Sequence, residues 1–273
     1  MRAAPALALL LALTGCSGGD AGDSTATPTP PSSTSAAPPT ATAVTPPETG
    51  ACYRLTFDAA LSPTTSVPAS NCSRRHTSET YAVGRVDNVV DGHLLTIDSD
   101  RVQQRVATAC PARLRRHTGG APDTLRLSML RAVWFTPSLE ESDDGANWYR
   151  CDVVGLTGSD ELATLDGSLA GVLDTAAGRE RWAMCGTAAP DARDFKHVPC
   201  VEPHEWRAIS VIELPIGRYP GGRRIRDLGA DTCQDDAGAI ADDPLDYEWG
   251  LEGPDRAQWD AGQTYARCWS PDD

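Results

Sequence analysis

Two Cys-x-x-x-His motifs hold the residue types best suited to chemistry in this chain: His76 follows Cys72, and His204 follows Cys200, at the same spacing. Zinc binds thiolate and imidazole readily, so each motif could form half of a zinc site. No Cys-x-x-Cys pair accompanies them, and a histidine at the start of a strand can equally make a structural hydrogen bond or contact a partner. We therefore predict no metal and no cofactor. A structural role is favoured for both histidines, with partner contact as the alternative.

The N-terminus predicts the compartment of these cysteines. A positively charged start and an apolar run over residues 3–13 lead to Leu-Thr-Gly-Cys at residues 13–16, which resembles a bacterial lipobox. The run is shorter than the ~20 residues that cross a bilayer as a helix. We predict a lipoprotein signal peptide at residues 1–15 and lipidation of Cys16, which would anchor the chain on the outer face of the cytoplasmic membrane. Cysteines in that setting form disulfides.

Composition separates a tether from a folded region. Residues 16–50 consist mainly of Ser, Thr, Pro and Ala, and they cannot bury enough apolar surface to fold. We predict a disordered tether there, after the lipidated Cys16. The formal net charge of −14 excludes nucleic acid as a favoured partner. Basic runs at residues 113–117 and 218–226 could contact anionic wall polymers or lipid headgroups, although solvated helix ends are the favoured interpretation.

The remaining cysteines fall at similar spacings in two halves of the folded region, which predicts an internal duplication. We expect one copy at residues 51–151, a connector at 152–184, and a second copy at 185–269. Each copy should be an α+β module with mainly antiparallel strands and one helix. The eight cysteines concerned are Cys52, Cys72, Cys110, Cys151, Cys185, Cys200, Cys233 and Cys268.

Each predicted copy has the same order of elements. A strand follows the histidine, at residues 81–86 and 208–212. A helix lies around the third cysteine, because apolar residues recur every four positions over 102–110, and residues 225–233 are its counterpart. Each copy closes with a hairpin that contains Pro and Gly at matching offsets before the last cysteine. In the first copy we expect the strand that enters this hairpin to run over residues 124–134.

Several motifs together resemble the septum-formation domain family of actinobacteria. They are the Val-Pro-Cys-x-x-Pro-His pattern at residues 198–204 with its looser copy at residues 67–76, the Trp-x-x-Gly hairpin beginning at Trp259, and the aromatic-x-Arg-Cys end of each copy. The first copy departs from the pattern, since Arg75 stands before its histidine where the second copy has Pro203. The resemblance implies an exported, membrane-tethered protein of the division septum or envelope. It also favours the second copy, with His204 and Trp259, as the functional one.

Eight cysteines allow 105 disulfide connectivities. If both copies fold alike and bond internally, three remain, and we favour first with second and third with fourth. The pairs are then Cys52–Cys72, Cys110–Cys151, Cys185–Cys200 and Cys233–Cys268.

No catalytic constellation stands out in the sequence. Residues 167–171, Gly-Ser-Leu-Ala-Gly, miss the Gly-x-Ser-x-Gly elbow by one residue and are better explained as a turn. Acidic clusters could supply paired carboxylates for glycan hydrolysis, but solvated surface is the favoured interpretation. We predict a non-enzymatic binding or scaffolding protein of the envelope or septum. Its partners would be the membrane, through the lipid anchor, and envelope or division proteins or wall polymers, contacted through His204, Trp259 or His76.

The alternatives are an extracytoplasmic enzyme acting on cell-wall material and a metal- or ligand-binding lipoprotein. A buried pair of convergent carboxylates in a cleft would favour the enzyme. An exposed aromatic patch near Trp249, Trp259 and Trp269 would favour a partner.

Overall fold

The computed structural model describes residues 44–272. The predicted signal peptide, the lipidated Cys16 and most of the tether lie outside these described residues and stay predictions. Within residues 44–272 no helix combines the length and the apolar character that crossing a membrane requires.

The strands are short, and all of their pairings are antiparallel. In chain order they are β1 (Cys52–Tyr53), β2 (Ser78–Arg85), β3 (Val89–Val90), β4 (His93–Leu94), β5 (Leu130–Phe135), β6 (Trp148–Gly155), β7 (Met184–Gly186), β8 (His197–Pro199), β9 (Trp206–Glu213), β10 (Gly250–Glu252) and β11 (Tyr265–Pro271).

Two long helices and several one-turn helices connect the strands. In chain order they are α1 (Phe57–Leu61), α2 (Asp100–Thr118), α3 (Pro122–Arg126), α4 (Leu139–Asp143), α5 (Ala176–Trp182), α6 (Gly222–Ile240) and α7 (Arg256–Asp260), with a 3₁₀ turn at Val172–Asp174. We call residues 44–155 the first half, residues 156–183 the middle segment and residues 184–272 the second half.

The two halves build sheets with the same strand order. The first sheet runs β1-β2-β6-β5 and the second runs β7-β9-β11-β10, with β8 added beside β7. Each sheet also contains a bulge at the fifth residue after its histidine, at Tyr81 in β2 and at Ile209 in β9. The α+β class with antiparallel sheets is therefore confirmed. The origin of this likeness in a duplication, and the boundaries of the copies, stay predictions.

Each long helix is attached to its sheet by a disulfide. The buried residues of α2 recur every four positions, from Val102 through Cys110, and those of α6 recur likewise, from Ile225 through Cys233. Cys110 is bonded to Cys151 in β6, and Cys233 to Cys268 in β11. The helix face that the four-residue spacing predicts is thus the face that packs on the last strand.

The other two disulfides join the first strand of each sheet to the segment before its histidine. They are Cys52–Cys72 and Cys185–Cys200. All four bonds have the pairing favoured from the sequence. They close loops of 15 to 41 residues.

The closing hairpin of each half contains a one-turn helix. Ser138 and Glu141 form a capping box at the start of α4, and Asp255 and Gln258 do the same at the start of α7. A glycine with positive φ follows each helix, Gly145 at 97° and Gly262 at 99°, where a Cβ atom would strain the backbone. The pattern predicted as a hairpin signal therefore specifies a hairpin with a capped helical turn inside it.

One sequence prediction is wrong in the first half. Residues 124–134 do not form a single strand, because α3 (Pro122–Arg126) occupies their beginning and β5 starts only at Leu130. Pro122 lies in the first turn of α3, a position that its fixed φ favours, and Asp123 complements the positive end of the helix.

The core is continuous across the two halves. Side chains of α2 and β6 pack in the same cluster as Trp206, Ala208 and Trp269 of the second half. The middle segment contributes to this cluster rather than running over the surface. Its buried residues there are Ala163, Leu165, Leu169, Leu173 and Trp182.

Candidate functional site

In the second half, His204 lies between a backbone carbonyl and a carboxylate. Its Nδ1 atom is 2.7 Å from the carbonyl oxygen of Glu202, and its Nε2 atom is 3.0 Å from Oδ2 of Asp272. Each ring nitrogen has only an acceptor beside it, so both contacts are hydrogen bonds only when both nitrogens carry a proton. Arg207 Nε donates to the same Oδ2 atom of Asp272 at 2.5 Å. One carboxylate thus joins an imidazole and a guanidinium.

The charges at this cluster are mutually compensated. Partial burial alone would raise the pKa of Asp272, but hydrogen bonds from Arg207 and His204 outweigh it and hold the pKa below its usual range. The second carboxylate around Arg207 comes from Glu180, whose Oε1 is 3.0 Å from Nη2. The charged side chains of this cluster therefore form ion pairs with one another.

A zinc site at the second motif would need thiolates that the fold has already used. The donor atoms of Cys185, Cys200 and His204 lie within 4.8 Å of one another, a spacing that a metal ion could bridge. The two sulfur atoms are bonded to each other, however, and a disulfide sulfur is not a thiolate ligand. Metal binding there would first require reduction of the bond.

In the first half, His76 is one of the residues that line an open cleft. Its Nδ1 atom is 2.8 Å from the carbonyl oxygen of Arg74, the contact that His204 makes with Glu202. The side chain is 1% exposed, and Nε2 has no hydrogen-bond partner within residues 44–272. A cleft of about 310 Å³ lies against the ring. Its lining residues are Arg54, Arg75, His76, Thr77 and Thr164, and we call it the His76 cleft.

Separate chain segments position the lining of the His76 cleft. Arg54 Nε donates to the carbonyl oxygen of Arg75 at 2.9 Å, which ties together the two arginines of the lining. Thr77 donates its hydroxyl to the carbonyl oxygen of Leu55 at 2.8 Å. The middle segment supplies Thr164, because Leu165 exchanges backbone hydrogen bonds with His76. The cleft is therefore lined by cations and hydroxyls, with no acidic side chain in its wall.

The fully buried carboxylates of residues 44–272 are Glu79 and Asp152, and both are occupied by internal donors. Asp152 accepts hydrogen bonds from Ser78 and Thr80 at 2.7 Å and lies 3.2 Å from Arg150. Burial raises the pKa of Asp152 despite these donors. The guanidinium of Arg150 packs over aromatic rings, with that of Tyr53 at 3.6 Å.

Glu79 explains the role of the near-elbow sequence at residues 167–171. Ser168 Oγ and the backbone N–H of Leu169 each donate to the Glu79 carboxylate at 2.6 Å. His117 Nε2 lies 3.5 Å from the same carboxylate, an ion-pair distance that is too long for a good hydrogen bond. Burial would raise the pKa of Glu79, but these contacts lower it below its usual range. Ser168 thus donates to a buried carboxylate that the backbone also contacts, rather than to an imidazole, and the segment is a structural turn.

The aromatic residues predicted to contact a partner are mostly interior. Trp259 is 7% exposed, donates its indole N–H to the carbonyl oxygen of Gly217 and packs against Tyr219. Trp269 is fully buried, and only Trp249 is partly exposed among the three tryptophans considered. The exposed aromatic patch that the sequence allowed is therefore not present at these tryptophans. The Trp-x-x-Gly motif belongs to the packing of α7.

The basic runs lie at opposite ends of the two long helices. Arg115 and Arg116 are in the last turn of α2, whereas Arg223 and Arg224 are at the beginning of α6. Positive charge is favourable at the end of a helix and unfavourable at its beginning. The two runs are therefore not equivalent, although they occupy similar places in the sequence.

Sequence reasoning missed the partners of both histidines. Asp272 follows the last strand of the second sheet, Arg54 directly follows β1, and Thr164 comes from the middle segment. One feature of the sequence does point to the cleft: Arg75 stands before His76, where the second half has Pro203 before His204. Its guanidinium lines the cleft, so this substitution adds a cation at the place where the two halves differ.

Comparison with known proteins gives a family. A family model described as septum formation matches residues 49–268, most of the chain. No curated protein and no solved structure matches the chain. The match supports a role in cell division or envelope processes, and it spans both sheets, all four disulfides and the His76 cleft. The chain therefore belongs to the septum formation family.

Proposed function

We propose that this protein is anchored to the membrane by a lipid on Cys16, lies outside the cytoplasm, and binds or scaffolds other components during cell division or envelope assembly without catalysing a reaction. The family match supports the process. The lipobox-like residues 13–16 and the tether that follows them support the anchoring.

The observation that favours binding is the contrast between the buried carboxylates and the His76 cleft. Glu79 and Asp152 are held by internal donors. The open cleft instead presents Arg54 and Arg75 on a protein whose net charge is −14. Open cations beside a buried imidazole can hold a ligand, whereas the two fully buried carboxylates of residues 44–272 already accept hydrogen bonds from within the chain.

Imaging of the full chain with a C-terminal fluorescent protein tests location and process together. We expect signal in the membrane fraction and enrichment at division sites. Cys16→Ser removes the acceptor of the lipid and should release the protein from the membrane fraction. Thr27→Ala, a substitution in the tether, should leave both properties unchanged.

Each arm has its own contrary outcome. Uniform envelope signal through the division cycle would contradict the septal role. A Cys16→Ser variant that still sediments with membranes would contradict lipid anchoring, whatever the imaging shows.

A further inference from the structure

We propose that the His76 cleft binds the carboxylate group of a ligand, with Arg54 and Arg75 as its cationic contacts and the buried His76 beside them. This inference deepens the proposed binding function and rests on it. It places the ligand in the first half, although the intact Pro-His motif of the second half had favoured that half.

The two histidines share the same local setting. Each follows a disulfide-bonded cysteine by four residues, and each places Nδ1 against the carbonyl oxygen two residues earlier, at 2.8 Å for His76 and 2.7 Å for His204. That contact assigns the Nδ1 proton in both rings. The remaining nitrogen, Nε2, bonds Asp272 in His204, whereas in His76 it is buried and has no partner within residues 44–272.

The second half shows what this nitrogen binds when a partner is available. His204 Nε2 and Arg207 Nε both contact Oδ2 of Asp272, at 3.0 and 2.5 Å. A carboxylate between an imidazole and a guanidinium accepts charge-assisted hydrogen bonds from both. Asp272 therefore serves as an internal example of the group that this histidine setting accommodates.

The first half lacks that internal carboxylate. Within residues 44–272, His76 Nε2 has no partner, and neither Arg54 nor Arg75 forms an ion pair. A buried polar atom without a partner costs free energy, and structures usually satisfy such atoms. A bound carboxylate would accept hydrogen bonds from the guanidinium groups, and its negative charge would compensate the positive charge of a protonated His76 beside it.

The size of the cleft defines the class of ligand. About 310 Å³ exceeds what a single carboxylate fills, and it falls at the lower end of small-molecule sites. The hydroxyl of Thr164 offers a further donor or acceptor beside the charged groups. The geometry fits the carboxylate end of a small molecule or of a peptide, with the rest of the ligand extending outward.

A matched pair of small probes tests the carboxylate. N-acetylglycine carries the group, and N-acetylglycinamide replaces it with a neutral amide of similar shape. We would titrate each into the purified full chain and follow the His76 ring resonances by NMR. N-acetylglycine should shift them with saturation, and N-acetylglycinamide should not. Arg54→Gln or Arg75→Gln should weaken binding about tenfold, since each removes a charged donor. Arg116→Gln, at an exposed position outside the cleft, should change nothing.

Every outcome of this titration bears on the inference. Equal shifts from the acid and the amide would overturn it, as would binding that is insensitive to both cleft arginines. Tighter binding of inorganic phosphate than of N-acetylglycine would overturn the carboxylate assignment. If the imaging experiment still shows enrichment at division sites, a negative titration removes the ligand and leaves the proposed function in place.

Discussion

The two halves share a strand order and a disulfide pattern, yet they treat charge in opposite ways at corresponding positions. The third residue after His76 is Glu79, which is buried and held by the middle segment. The third residue after His204 is Arg207, which is half-exposed and held by Asp272 and Glu180. The second half thus completes its own ion pairs beside the histidine, whereas the first half leaves two cations at an open cleft.

This difference separates what maintains the fold from what is available for a ligand. Where the sheets correspond, the disulfides and the helix faces correspond too, so their purpose is structural in both halves. Where the halves differ, the second half has a carboxylate of its own chain beside the histidine. The first half has the open His76 cleft there instead. Both the contacts that maintain the fold and those available to a ligand can be tested by substitution.

The largest expected effect concerns the buried pair Arg150–Asp152. Asp152→Ala should lower the free energy of unfolding by about 3 to 5 kcal/mol, because it leaves the Arg150 guanidinium buried without a counter-charge. The related pair in the second half is Arg267–Glu252. Glu252→Ala should cost less, since Arg267 keeps a hydrogen bond to the carbonyl oxygen of Arg126. Urea unfolding of both variants gives the comparison, and a larger loss for Glu252→Ala would contradict it.

Removing the helix-to-sheet disulfides should affect the halves almost equally. The bonds Cys110–Cys151 and Cys233–Cys268 span 41 and 35 residues, for which loop-closure entropy gives about 4 kcal/mol each. Replacing both cysteines of a pair with Ala should therefore lower stability by similar amounts in non-reducing urea. Removal of Cys185–Cys200, which spans 15 residues, should cost about 3 kcal/mol. If removing the disulfide of one half left the stability unchanged, the long helix of that half would be held on its sheet by other contacts.

Local patterns predicted the elements better than they predicted the site. The four-residue spacing in α2 and α6 and the cysteine spacing reflect contacts between neighbouring segments, and both were readable from the sequence. The strand assigned to residues 124–134 failed because Pro122 starts a helical turn there. The surfaces were not readable, because Thr164 and Asp272 reach the histidines from segments far along the chain. The sequence suggested that Trp259 could contact a partner, but the packing of α7 buries it.

Glu79 should make the stability of the first half depend on pH. Its folded pKa is lowered, so the stability it contributes is fully present above its ordinary value of 4.5 and is lost as the pH falls through the folded pKa. Glu79→Gln should cost about 2 kcal/mol at pH 7, because it removes the charged acceptor of Ser168 and Leu169. The difference from the unmodified protein should shrink at pH 3.

The control for this pH dependence is Asp191→Asn, at an exposed position. Its difference from the unmodified protein should be small at both pH values. A deficit for Glu79→Gln that is as large at pH 3 as at pH 7 would show that shape, rather than charge, makes Glu79 important.

The smallest expected effect is also the one that brings the halves closest together. Asp272→Ala removes the carboxylate shared by His204 and Arg207 and should cost only about 1 kcal/mol, because the ion pairs are partly exposed to solvent. It should also open beside His204 a site like the His76 cleft. Added N-acetylglycine should then raise the unfolding midpoint of this variant more than that of the unmodified protein, while N-acetylglycinamide should not. If N-acetylglycine does not raise the unfolding midpoint of Asp272→Ala, then one imidazole and one guanidinium are not enough to hold a carboxylate in this setting. Binding in the first half would then depend on its second arginine.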